Sequence, residues 1–203
     1  MQNASFQITQ SERDFAVSHL QKTRDALINA IENLTEEQWY YRPEPGQWTP
    51  AQCASHLLET ELYFFMPTLE KMLAEPANPE RMKEAQGKDQ ICYMSMEDRS
   101  FKIKGQPRTD DEVNAVDKEA LIAAFLQKRN ENIEWLKSTT EELRAHFTVM
   151  PFLETLDAYQ FILFVSGHTT RHTLQILETL NSVPAFSEAS EKQAVKNSVL
   201  SQL

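Results

Sequence analysis

The chain has 203 residues, 41% of them hydrophobic and 25% charged, an ordinary globular composition for one domain. Its net charge of −10 argues against a nucleic-acid surface, which needs clustered Lys and Arg, and disfavours docking on anionic membranes. Four glycines (46, 87, 105 and 167) are too few for the turns of a sheet-rich fold, and Cys53 and Cys92 are too few for a disulfide framework. A helical, cytoplasmic protein is therefore expected.

Residues 1–10 show no basic stretch followed by an apolar run, so no signal peptide is predicted. No apolar stretch reaches membrane-spanning length. A first helix is predicted over about 11–34, capped by Ser11, with Leu20, Leu27, Ile31 and Leu34 recurring at helical spacing. The connection 35–48 is rich in aromatics and prolines and is expected to be an ordered loop. A second helix starts sharply. Thr49 is its N-cap, Pro50 its first residue, Gln52 completes a capping box, and Trp48 with Cys53 can form a hydrophobic staple. Pro67 should kink or break it.

Residues 75–116 read as a long polar excursion between the second and third helices, with Phe101 and Ile103 alternating with lysines in a short extended segment. A third helix is predicted over about 117–138. A link through His146, Met150 and Pro151 leads to a fourth over about 155–181, capped by Thr155 and stopped by Pro184. The expected fold is all-α: an antiparallel four-helix bundle in a single domain, 1–187, with a polar tail at 188–203.

The chemistry concentrates in three histidines. His168 and His172 are four apart and share one helix face, so both imidazoles can reach one ion. His56, on another helix, would complete a three-histidine set with an open position for water or substrate. The HxxxH spacing is weak evidence by itself, and edge-of-core histidines that bind nothing fit it equally. The general-base Glu of a zincin motif is absent, as are the Glu-x-x-His pairs of a di-iron bundle. His19 and His146 are expected at the surface or in loops. Thr60 and Tyr63 lie one and two turns beyond His56 and are candidate pocket residues. Arg171, between the ligands, could bind a substrate carboxylate, reach a neighbouring helix or form an ordinary ion pair. Tyr93 and Arg99 could contact substrate from the excursion. Cys53 or Glu59 would be the fourth ligand if the ion were structural.

The run Gly167-His168-Thr169-Thr170-Arg171-His172-Thr173-Leu174-Gln175-Ile176, preceded by Pro151-Phe152-Leu153 and Tyr159-Gln160, resembles the last helix of the DinB/YfiT-like superfamily. The stretch from Tyr41 to Pro50, followed by His56-Leu57, resembles that family's entry into its second helix. The likeness spans about 11–181 and is weakest over 75–116. Met150 departs from it, since relatives often carry His before the Pro. The resemblance implies an antiparallel four-helix bundle holding one divalent ion, zinc or nickel before iron, on His56, His168 and His172. It also implies a homodimer and a small-molecule substrate. The function it suggests is a metal-dependent transferase using a low-molecular-weight thiol of bacillithiol type. The alternatives it leaves are a metal-dependent hydrolase and a non-catalytic metal-binding stress-response protein.

Overall fold

The computed structural model describes residues 6–100 and 117–183. Helix α1 (Gln10–Ile31) is capped by Thr9, not Ser11. The Thr9 hydroxyl accepts from the Glu12 N–H while the Glu12 carboxylate accepts from the Thr9 N–H, so two orphan donors are satisfied at once. The connection that follows contains a one-turn helix, α2 (Glu36–Trp39), with its own capping box on Thr35 and Gln38. Helix α3 (Pro50–Glu59) starts at the Thr49 cap with Gln52 reciprocating, as its sequence predicts.

Pro67 does not break this helix. The chain widens into a π-helical stretch, Thr60–Phe65, and continues as α4 (Met66–Ala74), with the proline inside its first turn. Pro67 has no N–H to donate to the Tyr63 carbonyl, and the extra residue in the preceding turn absorbs the mismatch.

The excursion departs from the expected loop. Its described part holds a 3-10 turn (Pro79–Arg81), α5 (Met82–Ala85) and α6 (Asp89–Glu97). Helix α6 packs along the last helix of the chain at Gly167, where an added Cβ would stand 2.6 Å from the Tyr93 carbonyl oxygen. The extended segment predicted at 101–104, the stop at Pro184 and the 188–203 tail lie outside the described residues.

Helix α7 (Lys118–Ser138) begins at the Asp117 cap. A β-hairpin then appears, β1 (Phe147–Met150) antiparallel to β2 (Glu154–Asp157), so the chain is mostly helical but not all-α. Thr155 lies in β2, and the cap of α8 (Ala158–Asn181) is Asp157 with Gln160. Asp157 also accepts from Arg144, which binds Glu12 and Asp89 as well and ties α1, α6 and α8 together.

Helix α8 is the hub, packed against α1, α3 and α6, while α7 packs on α1 and α3. Two apolar cores are separated along the long helices. One gathers Leu20, Phe65, Ile133 and Phe161; the other gathers Leu27, Leu57, Phe125 and Ile176. Every long helix crosses from one core to the other through polar positions: Thr23 on α1, Glu61 after α3, Arg129 on α7 and Thr169 on α8. No helix among the described residues is long and apolar enough to cross a membrane.

Candidate metal centre

The polar layer between the two cores carries the site. Arg129 is wholly buried, and its guanidinium donates to the equally buried Glu61 at 2.6 Å and 3.1 Å. It also donates to the Thr23 and Thr169 hydroxyls and the Leu20 carbonyl. Asn132 donates to the other Glu61 oxygen at 2.7 Å. Two charges without solvent persist here because nearly every donor and acceptor is matched. This network is not evident from local sequence pattern. A charged residue inside an apolar stripe, such as Arg129 between Phe125 and Ile133, was the available signal.

His168 follows Gly167 and precedes Thr169 on the same helix, one turn before His172. His56 approaches from α3. His168 Nε2 lies 3.2 Å from His56 Nε2 and 3.1 Å from His172 Nε2, and the three donor atoms fall within 4.8 Å of one another. Ligands around a tetrahedral zinc with bonds of about 2.0–2.1 Å stand about 3.3 Å apart, so the spacing fits one ion.

Protons fit these nitrogens less well. His172 Nδ1 donates to Gln175 Oε1 at 3.1 Å, which leaves Nε2 as a lone pair. His168 Nε2 then has at most one proton to share between two neighbours at hydrogen-bond distance. A single cation satisfies all three lone pairs, and the Gln175 contact is the kind of outer support that fixes a ligating imidazole. His168 Nδ1 is buried with no partner among the described residues. Burial, together with the neighbouring His56, pulls the His168 pKa down to about 3, and burial also holds His172 well below its usual value. These two rings are therefore neutral, the form that ligates.

Aromatic rings hold the imidazoles in place. Trp48 stacks on His172 at 5.6 Å and meets His56 edge-on at 5.1 Å, and Phe164 stacks on His168 at 6.3 Å. The stacking of Trp48 on His172 was not legible, because His172 comes from another helix.

A cavity of about 400 Å³ opens beside the triad. Its polar wall is His56, His168, Glu59 and Thr60; its apolar wall is Phe64, Met150, Phe164 and Val165. Thr60 is thus where the sequence places it, though its hydroxyl donates to the His56 carbonyl. Tyr63 is not: it is 75% exposed, and Phe64 lines the cavity instead. The π turn advances the helix phase by about one residue, moving Tyr63 out and Glu61 in.

Arg171 reaches a neighbouring helix, donating to the Met96 and Asp98 carbonyls at the end of α6. Arg99 pairs with both oxygens of Glu178, and Tyr93 packs on Phe15 and His19. None of these three lines the cavity. His19 is not a surface residue: it bonds Ser166 at 2.7 Å and continues the polar layer. His146 is buried too, its Nδ1 donating to the Met72 carbonyl. Neither Cys53 nor Glu59 supplies a fourth donor, since the cluster among the described residues is the three histidines alone.

Three imidazoles that converge beside an open cavity, two of them in its wall, form a candidate metal site with a position left open to that space. Residues 19–176 match the DinB superfamily model, and the chain belongs to that family. No curated protein matches. Among solved structures, the chain is similar to YfiT from Bacillus subtilis, described as a probable metal-dependent hydrolase with an unusual four-helix bundle topology. The identity is 18% and the TM-score 0.62, over 86% of this chain and 89% of that one. The four-helix bundle fold is shared.

Proposed function

We propose that the protein is a metal-dependent enzyme that delivers a small nucleophile to a small-molecule electrophile, with one divalent ion, zinc or nickel before iron, held by His56, His168 and His172. One observation carries this reading: three Nε2 atoms converge beside a cavity whose wall includes His56 and His168, and no carboxylate or thiolate among the described residues joins the cluster. Such an ion, when bound, acidifies water toward about pH 7 and holds a thiol as thiolate.

The chain's own residues supply the rest. Glu59 stands in the cavity wall beyond the ligand set, where its carboxylate can accept the nucleophile's proton and return it to the leaving group. Phe64, Phe164 and Val165 exclude bulk water from the same space. Water as nucleophile makes the reaction a hydrolysis, and the description of YfiT points the same way. A low-molecular-weight thiol of bacillithiol type makes it an S-transfer. The apolar wall favours this second reading, since it suits alkyl and aryl electrophiles.

The test is turnover of zinc- and nickel-loaded protein on a panel of esters, amides and alkyl halides, with and without added thiol. Metal-dependent turnover without thiol identifies a hydrolase, and turnover only with thiol identifies a transferase. Full metal loading with no turnover in either arm would leave a non-catalytic metal-binding protein and refute the proposal.

A further inference from the structure

The cavity's composition says what enters it. Phe64, Met150, Phe164 and Val165 form its apolar side, and Phe64 and Phe164 are both buttressed by Phe161, at ring distances of 5.5 Å and 6.4 Å. Phe161 is fully buried, so this wall rests on core. Met150 arrives from the end of β1, held by a tight turn in which Phe152 and Glu154 take left-handed backbone at φ 70° and 57°. Non-glycine residues in that region are strained, which fixes the turn at some cost in stability.

Glu59 is the one side chain with a fixed charge in the lining. Arginines that could have balanced an anion are engaged elsewhere: Arg171 on the end of α6, Arg99 on Glu178, Arg129 on Glu61. A cavity of 150 Å³ already holds benzene, and about 400 Å³ leaves room for a ring plus a linking group.

We infer that this cavity is a specificity pocket for an uncharged aryl or branched alkyl group, presented by the substrate beside the metal centre, and that Glu59 excludes anionic compounds of the same size. The inference rests on the proposed function for what the pocket serves, but the binding itself needs neither metal nor turnover.

The experiment is titration of the metal-free protein with methyl benzoate and with benzoate, followed by NMR. Wild type should bind the ester at least tenfold more tightly than the anion. Glu59→Gln should narrow that ratio at least threefold. Val165→Trp, which fills the cavity, should abolish ester binding. A helical circular-dichroism spectrum with a cooperative melt reports whether each variant is folded, and the milder Met150→Phe serves if Val165→Trp is not. Equal affinity for ester and anion, an unchanged ratio in Glu59→Gln, or ester binding unaffected in a folded cavity-filling variant would each overturn the inference. Selective binding by a protein that turns over nothing would refute the proposed reaction and leave the pocket standing.

Discussion

At the scale of single residues, His168 sets the pH behaviour. Its folded pKa is depressed by burial to about 3, whereas an imidazole in the unfolded chain titrates near 6.5. Below about pH 6.5 the unfolded chain takes up a proton that the folded chain refuses, so falling pH favours unfolding until about pH 3. For this residue alone the loss at pH 5 is about 2 kcal/mol. Denaturant melts of metal-free protein from pH 7.5 to 4.5 should show this slope, and His168→Gln should flatten it. An identical slope in the variant would contradict the assignment. Glu61 gives a second prediction. Glu61→Ala leaves Arg129 charged, buried and unpaired, and should cost about 3–5 kcal/mol in the same melts. A loss below about 1 kcal/mol would mean that water or a rearranged partner reaches Arg129. His168 and His172 were legible as a candidate pair because i,i+4 spacing is local, whereas His56, 112 residues before His168, joined them only through the family resemblance. The Glu61–Arg129 pair was not legible, because its members are 68 residues apart and nothing local marks them as neighbours.

At the scale of elements, helix starts were legible where side chain and backbone reciprocate within one turn, as at Thr49 and Gln52. Where two capping candidates stood close together, the reciprocal pair won: Thr9 with Glu12 over Ser11, and Asp157 with Gln160 over Thr155. The hairpin was invisible because its turn uses Phe152 and Glu154 in a conformation that usually signals glycine. The π stretch was half visible: Pro67 announced a disturbance but not its form. Gly167 shows how a single residue sets an element's place. In isolation, Gly167→Ala would favour α8 by about 1 kcal/mol of helix propensity. Here the new methyl meets the Tyr93 backbone, which a side-chain rotation cannot relieve. Overpacking of this kind costs about 1–3 kcal/mol or more, so the variant should be net destabilised in thermal melts. A more stable variant would show that α6 moves freely over α8.

At the scale of the whole molecule, the four-helix bundle was legible from periodicity and from the spread of motifs along the chain, but the hairpin and the helices of the excursion were not. The bundle's division into two cores about a polar layer was not legible either. That layer holds the candidate site: the same stretch of α8 gives Thr169 to the Arg129 network and His168 to the triad. Metal should therefore stabilise the molecule as a unit, by about 4 kcal/mol when free ion exceeds its dissociation constant a thousandfold. A melting temperature unmoved by zinc and nickel would argue against a site within the fold. The most direct test of the central claim is elemental analysis of purified, untagged protein beside His56→Ala. About one divalent ion per chain in the wild type, lost in the variant, is the predicted result. No ion in the wild type after incubation with metal, or equal loading of the two proteins, would contradict it.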